Sequence, residues 1–354
     1  MSATASNKFP LLDEWKEATN KKMSLEIIDN VLSGFAQIAL NDNSFSGLLM
    51  MVAAYIGSPV QAISGIWATI VGTITAHLLG VPRPLIRTGV YGFNPALCGL
   101  AIPVLVFPDR PINFEILLYS SLAAVFSIVL TIGIARILSQ WEVPFLALPY
   151  CFTLLIFVPA TLSLGNFDIT RTAPEIFEMF SSNGQNSWNL VELTTATLNS
   201  IAQILWIDHP MTGILYLIAV LMASRIDVFS SIIAAIISVS IAIGLGLPKD
   251  LVLTGIYGFN AILLMKAMTR GFILNVKSYS VSLVISSLTV IFAVSLRVMF
   301  APIGAIASFA FPFAILSLCA FLGRDLLRNM IYVPPTNWGV PETIKKEYII
   351  NKNS

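Results

Sequence analysis

Runs of roughly twenty apolar residues, separated by short polar or proline-containing stretches, set the rhythm of this chain. They cover Val60–Gly80, Phe114–Leu138, Val143–Leu164, Ile226–Leu247 and Ser280–Phe300. Each is close to the ~20 residues a helix needs to cross the hydrocarbon core of a bilayer. The alternating segments of about ten residues that a membrane barrel requires are missing. The pattern therefore predicts an all-α polytopic membrane protein. The first 25 residues are polar and of mixed charge, with no apolar run after a basic start, so no cleavable signal peptide is expected.

The pattern also occurs twice. TGVYGFN at 88–94 returns as TGIYGFN at 254–260, an offset of 166. Over the longer stretch, VPRPLIRTGVYGFN against LPKDLVLTGIYGFN, eight of fourteen positions are identical. Upstream at the same offset, Ala36-Gln37-Ile38 matches Ala202-Gln203-Ile204, Asp42 matches Asp208, Gly47 matches Gly213 and Glu26 matches Glu192. Further on the offset becomes 163, pairing Ala147-Leu148-Pro149-Tyr150 with Ala310-Phe311-Pro312-Phe313. One offset held without gaps over more than sixty residues signals duplication.

Charge orients the two copies. Only 11% of the residues are charged and 56% are hydrophobic, whereas soluble domains carry about 25% charged residues. Lys8, Lys16, Lys21 and Lys22 stand near the N-terminus, and five basic residues follow from Arg324 onward. The central polar stretch has Arg171 against Asp168, Glu175, Glu178 and Glu192. By the positive-inside rule both termini are cytoplasmic and the centre lies outside. Each half then crosses an odd number of times, and the second is inverted relative to the first. The expected division is a cytoplasmic N-terminal tail (1–24), a first membrane repeat (25–164) and an extracytoplasmic connecting loop (165–190). A second repeat (191–323) and a cytoplasmic C-terminal tail (324–354) complete it. The near-neutral net charge of +1, without basic clusters interleaved with aromatics, gives no support for nucleic-acid binding.

Each half holds a segment too short and too interrupted to span: Asn94–Val106, ahead of Pro108-Asp109-Arg110-Pro111, and Asn260–Met268, ahead of Arg270-Gly271. These read as re-entrant half-helices, starting at Asn94 and Asn260, that meet around a pore. Irregular backbone at membrane depth is tolerated only where protein buries it or water reaches it. Inverted repeats with a site at their interface are a transporter architecture. The alternative is that the repeated glycines only let helices pack closely.

These residues resemble the urea transporter family. The family's pattern in each half is Gln-Val-x-Phe before Asn-Pro-x-(Ser/Thr)-Gly, then Gly-Phe-Asn-Gly-x-Leu, then Leu-Pro-x-x-Thr-x-Pro-Phe. The first half reads Gln37-Ile38-Ala39-Leu40, Asn43-Ser44-Phe45-Ser46-Gly47, Gly92-Phe93-Asn94-Pro95-Ala96-Leu97 and Val143–Tyr150. The second half reads Gln203-Ile204-Leu205-Trp206, His209-Pro210-Met211-Thr212-Gly213, Gly258-Phe259-Asn260-Ala261-Ile262-Leu263 and Ala310–Phe313. The resemblance covers about Leu25 to Leu322. It implies five transmembrane helices plus one half-helix per repeat, a pore within each subunit, a homotrimer, and channel-like passage of urea across a cell membrane, taken as a bacterial inner membrane. It also implies that Phe93 and Phe259 face the flat permeant, that Leu97 and Leu263 line the constriction, and that Gln37 and Gln203 stand near the mouths. Ile38, Ile204, Leu40 and Trp206 complete the slots; Leu40 stands where a slot Phe is usual, and Trp206 where its partner would be. Ala147 and Ala310 stand where the family has threonines, which removes two hydroxyls and opens space for another small amide or amine. No cofactor and no enzymatic activity is implied.

The chemistry of urea agrees with such a pore. A planar, neutral solute rich in N–H groups needs acceptors as it dehydrates, and leaving such groups unpaired costs a few kcal/mol each. Phe93 and Leu97 are four residues apart, as are Phe259 and Leu263, so each pair shares a helix face. That spacing alone equally describes core packing. Lys266 either faces the pore or, the favoured reading, snorkels to the cytoplasmic interface beside Arg270 and Lys277. Asp42 and Asp208 read as helix caps. His77 and His209 lack a second ligand at metal spacing and read as structural. Cys98, Cys151 and Cys319 read as buried small hydrophobes. Deep carboxylates look scarce, which argues against the ion-coupled transport that the same architecture permits. A sensor without flux is a further alternative.

Overall fold

A computed structural model describes residues 10–21, 23–164, 187–301 and 308–353. These form sixteen α-helices joined by turns and short 3-10 segments. The first set is α1 (Pro10–Lys21), α2 (Met23–Ala36), α3 (Ser44–Gly57), α4 (Pro59–Leu78), α5 (Arg83–Arg87), α6 (Phe93–Val106), α7 (Phe114–Leu138) and α8 (Leu148–Ala160). Then come α9 (Leu190–Ala202), α10 (Pro210–Leu221), α11 (Arg225–Gly244), α12 (Lys249–Leu253), α13 (Phe259–Gly271), α14 (Val276–Phe300), α15 (Phe311–Leu322) and α16 (Pro341–Asn353).

Helices α3 to α6 start at residues 44, 59, 83 and 93, and α10 to α13 start 166 residues later at 210, 225, 249 and 259. Local chemistry recurs with them. Ser58 and Ser224 cap α4 and α11, each accepting from the backbone N–H three residues on, and Asn113 and Asn275 do the same for α7 and α14. Within each set, α4 packs on α6 and α7, and α13 packs on α11 and α14. The two sets meet where α3 lies against its counterpart α10, with the Thr212 hydroxyl donating to the Ala53 carbonyl at 2.9 Å.

Four helical segments among the described residues are long and apolar enough to cross a membrane: Pro59–Leu78, Phe114–Trp141, Arg225–Gly244 and Val276–Phe300. Their burial is inverted relative to a soluble helix. α7 buries Ser120, Ala123, Ala124, Ser127 and Thr131 and exposes Leu118, Leu122, Val125 and Val129. Small residues inside allow close helix contact, and hydrocarbon solvates the apolar outer face. Val143–Leu164, read as one span, is interrupted: Pro144 and the left-handed Leu146 (φ 47°) delay the helix until Leu148. Leu190–Leu205 and Pro210–Leu221 form a pair bent by 67°.

The terminal segments are docked. Trp15 Nε1 donates to Asp29 at 2.6 Å and Lys16 Nζ pairs with the same carboxylate at 2.8 Å, fixing α1 to α2. At the other end Glu342 accepts from Ser224 Oγ and from the Ile226 N–H at 3.1 Å. Tyr332 pairs with Phe272 in an isolated antiparallel bridge. Nearly all of the expected connecting loop, including Asp168, Arg171, Glu175 and Glu178, lies outside the described residues. Cys98 and Cys151 are buried, but Cys319 lies exposed on α15.

Candidate functional site

Each set contains an abrupt backbone break, after α2 in one and after α9 in the other. After α2, residues Gln37–Ala39 tighten into a 3-10 turn and Leu40 turns left-handed at φ 56°. After α9, Gln203–Leu205 and Trp206 do the same, at φ 62°. A non-glycine residue there costs about 1–2 kcal/mol, so the surroundings must hold it. The cap beyond the first break is Asn43, whose side chain accepts from Phe45 N and Ser46 N. Asp42 and Asp208, expected to cap, are exposed and take no part. His209 occupies the cap position of α10 without a side-chain bond, and Pro210 starts that helix instead.

The repeated glycine phrase explains the next level. Gly89 and Gly255 both sit at φ 78°. A Cβ on either would lie 2.4 Å from the Ser33 carbonyl or 2.2 Å from the Ser200 nitrogen. The turns before α6 and α13 thus press on the backbones of α2 and α9, as the packing reading requires. Phe93 and Phe259, one residue ahead of the expected starts, open the helices. At 1.5 Å per residue α6 and α13 are about 20 Å long, short of the ~30 Å hydrocarbon core.

Asn94 and Asn260 then do something the sequence reading missed. Asn94 Oδ1 accepts from Tyr150 N at 3.1 Å and its amide donates to the Leu146 carbonyl at 3.4 Å. Asn260 accepts from Phe313 N at 3.1 Å and donates to the Phe309 carbonyl at 3.2 Å. Leu146 and Phe309 are both left-handed, at φ 47° and 48°. Each asparagine is a clamp that ties α6 to the entry of α8, or α13 to the entry of α15. The signal was the pairing of Asn94 and Asn260 with the Ala-x-Pro motif, legible only once the two segments are adjacent.

Between these elements lies a narrow cavity of about 20 Å³, room for roughly one water centre. Gln37, Ile38, Leu40, Phe93, Leu97, Leu146, Ala147, Leu263 and Phe313 line it. Seven of the twelve residues assigned to a pore are therefore in one place, together with Leu146 and Phe313, which sequence reasoning did not single out. Phe93 stacks on Phe145 with centroids 6.0 Å apart and planes 11° apart. Gln37 donates to the Thr88 carbonyl at 2.8 Å. The remaining five, Gln203, Ile204, Trp206, Phe259 and Ala310, do not line this cavity. Ile204, Phe259 and Ala310 are buried in the core. Trp206 lies 6.3 Å from the Phe309 ring and donates its indole N–H to Tyr150 Oη at 2.9 Å. Where the first set has Leu40 and open space, the second has a packed aromatic cluster.

Lys266 and Arg270 do not reach the protein surface. Both are buried, Lys266 completely. Arg270 forms a two-pronged ion pair with Asp227, Nη2 to Oδ2 at 2.6 Å and Nη1 to Oδ1 at 3.2 Å. Lys266 Nζ lies 5.3 Å from the centroid of the Tyr216 ring and 3.4 Å from its hydroxyl. Snorkelling fails because Asp227, in the first turn of α11, brings a counter-charge inward that the guanidinium fork matches. Asp29, like Asp227, is buried among protein side chains.

Fold and site together define a multi-pass helical membrane protein built from two similar helical sets around a small internal cavity. The chain belongs to the urea transporter family, whose sequence profile, described as "Urea transporter", matches residues 28–325. It is 27% identical over 255 residues to Urea transporter 1 of Mus musculus, covering 68% of this chain and 62% of that protein. It is 24% identical over 335 residues to Urea transporter 1 of Ovis aries, covering 93% of this chain and 85% of that protein.

Proposed function

We propose that this protein passes urea across a membrane by facilitated, channel-like diffusion. The path runs between two inverted halves, each with five transmembrane helices and a re-entrant segment, and the cavity beside Leu40 and Ala147 is part of it. The observation that carries this reading is the lining itself. Gln37, Ile38, Leu40, Phe93, Leu97 and Ala147 from one half meet Leu263 and Phe313 from the other. In this reading the plane of the solute passes along the Phe93 ring, with Leu97 and Leu263 as apolar walls, through a constriction that must widen as it passes. Its N–H groups need acceptors as it dehydrates, and we assign that role to backbone carbonyls at the broken end of α2. The five assigned residues of the second half, Gln203, Ile204, Trp206, Phe259 and Ala310, then form the opposite, tighter side of the path. A homotrimer, cytoplasmic termini and a bacterial inner membrane complete the proposal, on the family resemblance and the distribution of basic residues.

Ala147 supports a second permeant class, small amides bulkier than urea, because no hydroxyl closes the cavity there. Ion-coupled transport gains the buried charges of Asp227, Arg270 and Lys266, although the bidentate pair leaves little room for a proton to be exchanged. Solute flux into proteoliposomes, across urea, methylurea and acetamide and with or without proton and sodium gradients, separates these readings. Equilibration without accumulation is the expected result. Accumulation against a solute gradient when an ion gradient is imposed would overturn the channel reading.

A further inference from the structure

The two backbone breaks are held in place by the same device written in two chemistries. Gln61 and Asp227 are equivalent at the 166-residue offset, each following the serine that caps its helix, Ser58 or Ser224. In the first half, Gln61 Nε2 donates to the Leu100 carbonyl at 3.0 Å and to the Trp206 carbonyl at 2.7 Å. In the second half Asp227 has no donor to give. It instead grips Arg270, which donates to the Lys266 carbonyl at 3.0 Å and to the Leu40 carbonyl at 2.8 Å. Leu100 corresponds to Lys266, and Trp206 corresponds to Leu40. The acceptors are therefore the same two backbone positions. In both cases one acceptor belongs to the donor's own half and the other is the left-handed residue of the opposite half.

We propose that Gln61 and the Arg270–Asp227 pair are paired positioning residues. Each locks the backbone break of the other half, and so fixes Leu40 at the cavity and Trp206 opposite it. The inference rests on the reading of that cavity as the permeation path. A left-handed, non-glycine residue returns to a commoner conformation unless something restrains it. A buried carbonyl also needs a donor. One side-chain N–H meets both requirements at each break. The charged version serves a neighbourhood that already contains Lys266, and the uncharged version serves one that contains Leu100.

The symmetry supplies the test. Arg270→Leu alone strands the Asp227 carboxylate and the Leu40 carbonyl. Asp227→Gln combined with Arg270→Val copies the first half, where Gln61 stands and Val104 occupies the position equivalent to Arg270. Gln61→Met removes the donor at nearly constant volume without touching any charge. Two readouts apply: the urea-to-methylurea flux ratio in proteoliposomes, and hydrogen exchange at residues 36–43 and 202–209 in detergent. For Arg270→Leu, exchange at 36–43 should rise by about tenfold or more, with a loss of discrimination. For Gln61→Met the same should occur at 202–209. The double variant should bring both readouts back to within about threefold of the native protein. If Arg270→Leu does not fold, Gln61→Met and the double variant decide. The proposal is overturned if Gln61→Met leaves both readouts unchanged, or if the double variant elutes as a folded species yet exchanges at 36–43 as fast as a chain with no donor there. A native protein that passes no urea would sink the urea reading, while the exchange comparison would still decide this one.

Discussion

Replacing Ala147 by Thr tests the cavity at its most informative position. Ala147 precedes α8 as its cap residue and is 1% exposed. A hydroxyl introduced there would ordinarily turn back onto the helix N–H groups, but none is free. Leu148 N bonds to the Phe145 carbonyl, Pro149 has no N–H, Tyr150 N is taken by Asn94, and Cys151 N bonds to the Ala147 carbonyl. The new hydroxyl is left facing the cavity. One added hydrogen bond to a dehydrated urea is worth about 0.5–1.5 kcal/mol net. With the added methyl narrowing the space, Ala147→Thr should raise the urea-to-methylurea flux ratio by about two- to tenfold. Ala310→Thr meets the same occupied donors at Phe311, Phe313 and Ala314 but does not line the cavity. It should cost about 1–3 kcal/mol of overpacking and shift the ratio less than Ala147→Thr does. Stopped-flow light scattering on proteoliposomes with equal protein incorporation measures both. The reasoning is refuted if Ala310→Thr shifts the ratio as much as Ala147→Thr, or if neither does.

Three further outcomes are expected. Lys266→Met should keep urea flux within about twofold and leave thermal stability unchanged or higher, because an apolar isostere replaces a buried cation; a misfolded protein would show that the ammonium is structurally required. Asn94→Leu leaves the Tyr150 N–H without its partner and should cost about 1–3 kcal/mol, read as a lower melting temperature in detergent; an unchanged melting temperature would mean the clamp is idle. Asp29→Ala removes the acceptor for both Trp15 and Lys16, so limited proteolysis should cut within Pro10–Lys21 faster than in the native protein, and equal rates would show that α1 is held by other contacts.

The sequence by itself determined the membrane class and the recurrence of the helical pattern, and its family resemblance named seven of the nine residues that line the cavity. Hydrocarbon imposes a length and a composition on every span, and these are linear properties that hydropathy reads directly. A duplicated framework likewise leaves its mark residue by residue. The phrase TGxYGFN recurs because two turns must press equally close on a neighbouring backbone. Tertiary structure decided where charge goes. Lys266, Arg270 and Lys277 look like an interfacial basic cluster along the chain, yet the first two are buried because Asp227, 43 residues before Arg270, folds against them. It likewise decided that Asn94 clamps α8 and that Ala147 borders open space while Ala310 does not. Gln61 and Arg270 reach the breaks at Trp206 and Leu40 across 145 and 230 residues. A side-chain donor and a backbone acceptor carry no complementary pattern in sequence, so only the packing of one half against the other brings them within hydrogen-bonding distance.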